Sequence, residues 1–140
     1  MVVAYLLIGT AAYWSMLPGI SQHLFGFDPD FTQAMWFMAW VPHAIGHGLN
    51  PLFSNAIYVP RGVNLMDSAS SPLLGLFTAP FALVVNPVVR ANLLLLLAMP
   101  VSATAGFVVL RRWQVWVPAA ALGGLIYGFS PYMVGQTLEH

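Results

Sequence analysis

Hydrophobic and polar positions along this chain fall into long blocks rather than short alternations. Residues 2–17, 91–110 and 115–130 are almost wholly apolar, and each approaches the roughly 20 residues a helix needs to cross the hydrocarbon of a bilayer. With their flanks they predict spans at 1–17, 91–110 and 114–131, leaving residues 18–90 as one long polar excursion and 132–140 as a tail. A further apolar stretch, residues 72–85, is only about 14 residues long and contains Pro80, which suits an interfacial or re-entrant helix. Read as a full crossing, it raises the number of spans from three to four.

Within the polar excursion, the run FTQAMWFMAWVPHAIGHG has helical periodicity. Gln33, Trp36, Trp40, His43 and His47 recur at spacings of three and four, so one uninterrupted helix places them on one stripe. Pro42 predicts a kink or a split in that helix. Asp30, just before the run, predicts an N-cap whose carboxylate meets the positive end of the helix dipole. Gly48 and Asn50-Pro51 predict its end, and the segment PLFSNAIYVPRGVNLMDSASSP, rich in Pro, Gly, Asn and Ser, predicts an ordered loop. The fold class expected is all-α and integral to the membrane, with juxtamembrane helices inside a long exterior loop.

Composition strengthens the membrane reading. The 140 residues include four arginines, no lysine, three aspartates and one glutamate, while 59% are hydrophobic, far from the balance of a soluble domain. A net charge of zero lacks the basic footprint that binding a phosphate backbone requires, so nucleic acid is not an expected partner. With no cysteine there is neither a disulfide nor a thiolate metal site. The amino terminus has no positive region and no clean small-residue cleavage pattern, so residues 2–17 read as a retained span rather than a signal peptide. Leu138-Glu139-His140 reads either as natural sequence or as the start of a vector-encoded tag.

The arginines orient the spans. Arg111-Arg112 lies in a short connection between two of them, which prefers the cytoplasmic side. The chain is then a multi-pass membrane protein with a cytoplasmic amino terminus and an exterior carboxyl terminus. Residues 18–90 and 132–140 share the exterior face. This topology requires residues 72–85 to stay at the interface.

Against that background the few charged and polar side chains stand out, because a carboxylate near lipid is costly without water, a cation or a partner. Asp28 and Asp30 are the first candidates: a carboxylate at a helix start beside a bilayer can act as a general base or hold an acceptor hydroxyl. The plainer alternative makes Asp30 a helix cap and Asp28 a solvated turn residue. His43 and His47 stand four apart, the spacing of two imidazoles sharing a metal, yet Ala44 occupies the place where a zinc-hydrolase helix carries glutamate. Interfacial histidines bonded to lipid phosphate or backbone are the alternative. Trp36, Trp40, Trp113 and Trp116 fit an aromatic belt. In the 58–65 loop, Tyr58, Arg61 and Asn64 offer phenol, guanidinium and amide to a phosphate or sugar hydroxyl, or else Arg61 pairs with Asp67 or Asp30. Glu139 and His140 emerge on the face of Asp30, or are solvated end residues.

Five ordered pieces carry a resemblance: Asp30-Phe31-Thr32-Gln33 with Trp36-Phe37-Met38-Ala39-Trp40; Tyr58 to Leu65; Ser71-Pro72-Leu73-Leu74-Gly75; Asn92-Leu93-Leu94; and Gly128-Phe129-Ser130-Pro131-Tyr132. In order and spacing the chain resembles the GT-C superfamily of membrane glycosyltransferases, over most of its length. The resemblance implies transfer of a sugar from a polyprenyl-phosphate donor to an acceptor on the exterior face, by an inverting mechanism. Asp30 takes the place of the first-loop base or acceptor-binding acid, and Glu139, with His140 beside it, that of a second polar group near the donor phosphate. Arg61 contacts phosphate by analogy. Some members use a divalent cation and others do not, so the cofactor is open; Mg or Mn held by Asp30 and Glu139 is the form it would take.

The departure is length, since family enzymes usually have eight or more spans. The chain therefore reads as an amino-terminal module whose partners are membrane lipid, the donor, and the remaining transmembrane part or a partner subunit. The rival expectation is a non-catalytic membrane subunit or scaffold that binds lipid or a larger protein. A transporter ranks last, because charges that would line a substrate path are nearly absent.

Overall fold

The computed structural model describes residues 1–26, 29–67 and 71–139, with the side chains of Pro29, Thr137, Leu138 and Glu139 outside the description. In chain order its elements are α1 (Val2–Ala12), α2 (Pro29–Gly46), β1 (Phe53–Ser54), β2 (Val63–Asn64), α3 (Pro72–Thr78), α4 (Pro87–Arg112), α5 (Val117–Gly128) and α6 (Pro131–Glu139). The all-α expectation is right apart from a minimal antiparallel ladder, in which Phe53 faces Asn64 and Ser54 faces Val63. Proline opens α2, α3, α4 and α6, at the position where its missing N–H has no intrahelical acceptor to lose. Side-chain caps add to two of these starts: Asn86 Oδ1 accepts from Val88 N at 2.8 Å, and Ser130 Oγ from Met133 N at 3.3 Å.

Among the described residues two helices are long and apolar enough to cross a membrane, Pro87–Arg112 and the nearly continuous pair Val117–Gln136. Only 22% and 17% of their most apolar windows are buried inside the protein, unlike the core helix of a soluble fold. The regular helix expected over 2–17 stops at Ala12. Its 11 residues rise about 16 Å, half the roughly 30 Å of hydrocarbon. Beyond it the chain continues in turns, with Met16 N and Leu17 N on the Tyr13 carbonyl at 2.9 and 3.2 Å, up to Pro18-Gly19. The segment expected as a tail is helical as α6 through residue 139.

The described residues divide into two compact units. In the first, residues 1–28 and 92–140, small residues let helices approach closely. Ala120, Gly124 and Gly128 are buried at intervals of four along α5. A Cβ built on Gly124 meets the Ala103 carbonyl oxygen at 2.5 Å and Tyr5 Oη at 2.7 Å, and one on Gly128 overlaps the Ala103 backbone. Tyr5 Oη donates to the Ala121 carbonyl at 2.7 Å, and Gly9 leaves room for buried Pro100. Fully buried Asn92 fastens the segment after α1: its Oδ1 accepts from Phe25 N at 2.9 Å, and its Nδ2 donates to the carbonyls of Ile20 and His23 at 2.8 and 2.7 Å. Tyr13 stacks on Phe25 with ring centres 5.6 Å apart.

The second unit, residues 29–91, is built on α2. Phe37, Met38, Val41 and Ala44 face its interior. Helix α3 lies directly on this face, because Gly75 offers no side chain: a Cβ there meets the Phe37 carbonyl oxygen and Val41 Cβ at 2.6 Å each. At the far end of α2, Gly48 adopts φ 67°, Leu49 N donates to the Ala44 carbonyl at 2.8 Å, and Gly48 N to that of Ile45 at 3.2 Å. This paired closure uses carbonyls left over by the last turn and needs a residue tolerant of the left-handed region. Gly48 therefore ends the helix, as its sequence position suggests.

Candidate functional site

Helix α2 runs through Pro42 without dividing. Proline at 42 has no N–H to donate, which leaves the carbonyl of Met38 without its helical partner. Arg90, in the first turn of α4, supplies a replacement: Nη1 donates to Met38 O at 2.9 Å. The same nitrogen reaches the carbonyl and hydroxyl of Thr78 at the end of α3, each at 3.4 Å. One buried guanidinium thus serves the interrupted turn of α2 and the terminus of α3. Arg90 is 4% exposed, and its Nε is buried without a hydrogen-bond partner.

Because the helix is intact, the predicted stripe exists. Trp36 and Trp40 stack with centres 5.6 Å apart and planes 7° from parallel, Trp40 meets His43 at 5.8 Å, and His43 meets His47 at 4.2 Å. Trp40 Nε1 donates to the Pro51 carbonyl at 3.2 Å, tying the chain after α2 back to this face. His47 Nδ1 lies 2.8 Å from the His43 carbonyl oxygen. A carbonyl only accepts, so Nδ1 carries the proton and Nε2 points elsewhere.

The lower end of the stripe opens into a cleft of about 660 Å³, lined by His43, His47, Arg90 and mostly apolar residues, including Pro42, Ala82 and Leu83. Neither Arg90 nor this cleft was legible as a site from sequence, where Arg90 reads only as the residue before a span. The usable signal was an arginine without nearby acid at the head of an apolar run, together with a proline that leaves one carbonyl open.

Asp30 stands at the other end of α2, exposed. It is not the N-cap: Pro29 begins the helix and Asp30 lies within its first turn, where a carboxylate is still favoured by the helix dipole. It lies about 20 Å along the axis from His43, at 1.5 Å per residue. Gln33 lies one turn below it, partly buried. Asp28 and His140 fall outside the described residues, as does the side chain of Glu139.

Tyr58, Arg61 and Asn64 belong to the hairpin rather than to the cleft. Tyr58 and Arg61 are exposed near its tip. Asn64 is engaged locally, with Nδ2 on Asp67 Oδ1 at 3.3 Å and Oδ1 accepting from Met66 N at 3.1 Å. Asp67 thus receives an amide, and no ion pair joins Arg61 to Asp67 among the described residues. Gly62, at φ 70°, sits against the Phe53 ring and the Asn55 side chain, where a larger residue would collide. Among the described residues no three His, Asp or Glu side chains gather as metal ligands; the side chain of Glu139, expected with Asp30 to hold Mg or Mn, lies outside them.

Comparison with protein-family models, with curated proteins and with solved structures finds no match for this chain.

Proposed function

We propose that the chain is the amino-terminal module of a membrane glycosyltransferase that uses a polyprenyl-phosphate-linked sugar. The observation that carries the reading is the exposed carboxylate of Asp30 in the first turn of α2, heading a helix whose one face is a ladder of stacked tryptophans and histidines. Asp30 removes the proton of an acceptor hydroxyl as its oxygen bonds to the anomeric carbon. The bond from that carbon to the phosphate oxygen breaks, and polyprenyl phosphate leaves with the electron pair.

The bilayer setting is part of the proposal. Pro87–Arg112 and Val117–Gln136 cross the membrane, and α1 with the turns that follow it to Gly19 makes a third crossing. Support comes from the apolar outer surface of α1, where Val3 and Leu7 are 68% and 65% exposed while Tyr5 and Gly9 are buried. Arg111 and Arg112, in the last turn of α4, mark the cytoplasmic side. Residues 18–90 then face the exterior.

The test is transfer of labelled sugar from a polyprenyl-phosphate donor by membranes carrying the full chain. Asp30→Asn is expected to lower turnover by about 10²–10⁴-fold, the usual contribution of a positioned base, with the helical circular dichroism unchanged. Wild-type turnover in that variant rejects the catalytic assignment. The second reading, a non-catalytic membrane subunit, is favoured by one observation: the cleft on this unit lies at the opposite end of α2 from Asp30. Stable co-purification with a larger membrane protein, with activity intact after Asp28, Asp30 and Glu139 are all neutralised, would establish it.

A further inference from the structure

We infer that the cleft at the carboxyl end of α2 binds the phosphate headgroup of an anionic lipid, with the lipid chain lying along Ala82 and Leu83. The site is separate from Asp30 and does not rest on the transferase reading. Among the described residues three nitrogen-bearing side chains line it, His43, His47 and Arg90, and no carboxylate does. The sign of that set decides the ligand class. A metal cation would approach a buried guanidinium that has no acidic partner among the described residues, whereas an anion brings the countercharge that such a group lacks. A buried unpaired charge costs several kcal/mol, and the contacts of Nη1 with Met38 and Thr78 are all to neutral oxygens.

The histidines offer accessible ring nitrogens. Both are exposed, and their rings lie 4.2 Å apart. With Nδ1 of His47 donating to the His43 carbonyl, its Nε2 is left as an acceptor, suited to the P–O–H of a singly protonated phosphate monoester. The plainer role of two histidines in a last helical turn is to complement the helix dipole, but that role needs neither a cleft nor Arg90 behind it.

The remaining lining is apolar, which distinguishes an amphiphile from free phosphate. Leu83 is 96% exposed and its neighbour Val84 84%. In the same unit, Leu73 and Phe77 of α3 are also exposed, at 76% and 72%. A headgroup held beside the imidazoles in the cleft therefore meets an apolar lining that includes the exposed Leu83.

Native mass spectrometry of the detergent-released full chain tests this with dioleoyl phosphatidate, farnesyl phosphate and phosphatidylcholine as probes and inorganic phosphate as competitor. One anionic lipid is expected to be retained, with phosphatidylcholine bound at least tenfold more weakly. The double variant His43→Gln, His47→Gln, whose side chains are exposed, is expected to weaken the anionic lipid about tenfold, and Leu83→Asp to do the same, both at wild-type helicity. Equal retention of phosphatidate and farnesyl phosphate supports a site for any lipid phosphate; retention of farnesyl phosphate alone supports a prenyl-lipid site. Wild-type affinity in the histidine variant, equal binding of phosphatidylcholine, or displacement by inorganic phosphate at equimolar concentration overturns the inference.

Discussion

Asn92 is the side chain on which the segment after α1 depends most directly. Replacing it with alanine removes three hydrogen bonds and leaves their partners behind: the N–H of Phe25 and the carbonyls of Ile20 and His23. The three losses are not equal. His23 is exposed and Ile20 partly so, so water can replace the amide at those carbonyls, and each then loses only the net value of a hydrogen bond, about 0.5–1.5 kcal/mol. Phe25 is 2% exposed, and its orphaned N–H carries a desolvation penalty of about 1–3 kcal/mol. Together they give about 2–6 kcal/mol, of which the Phe25 share is the most secure.

Global unfolding is a poor readout for a chain of two units in detergent, because the transition is not expected to be two-state. Amide hydrogen exchange at Phe25 reports the local opening instead. Asn92→Ala is expected to speed that exchange at least tenfold, since about 1.4 kcal/mol is a factor of ten. Asn92→Asp should be at least as damaging, because the replacement sets a carboxylate oxygen against two carbonyls. An exchange rate at Phe25 within threefold of wild type, with total helicity preserved, refutes the view that Asn92 holds this segment.

Periodicity made the stripe on α2 legible, since spacings of three and four need only a helix to bring Trp36, Trp40, His43 and His47 onto one face. What it does not contain is the reason that helix survives Pro42. The proline frees the Met38 carbonyl, and the group that accepts the consequence is Arg90, 52 residues away. Local pattern has no access to such a pairing, and a kink or split was therefore the natural expectation. The reverse holds at the amino terminus. Apolarity from Val2 to Leu17 gives a hydrophobic segment of nearly sufficient length, but hydrophobicity fixes solvent preference rather than backbone continuity, and the regular helix stops at Ala12.

Tight helix packing has a signature in residue size alone. Ala120, Gly124 and Gly128 at intervals of four mark a face with little side-chain bulk, the pattern that lets helices meet where lipid supplies no hydrophobic drive. For the candidate site the limit is chemical. Sequence ranks side chains by scarcity, so Asp30, Arg61 and Glu139 drew attention in a chain with few charges. The cleft draws on Arg90, which looked like a span boundary, and on two histidines whose value depends on the buried cation behind them.

Two further substitutions test the close contacts on which each unit is built. Gly124→Leu is expected to push α5 from α4 and Tyr5, because even a Cβ meets the Ala103 carbonyl oxygen at 2.5 Å; faster amide exchange along α5 would register the change, and unchanged exchange there would deny the contact. Gly75→Ala probes α3 on α2. The added methyl sits 2.6 Å from both the Phe37 carbonyl oxygen and Val41 Cβ, and neither can yield cheaply, since one is backbone within a helix and the other the branch point of a buried side chain. Overpacking of this kind costs about 1–3 kcal/mol. Because Thr78 follows Gly75 by one turn, displacing α3 also draws its carbonyl and hydroxyl from Arg90 Nη1, already at 3.4 Å. Exchange protection should therefore fall along both α3 and the Pro42 turn of α2. Protection lost from α3 alone would mean that Arg90 serves only Met38 and does not couple the two helices.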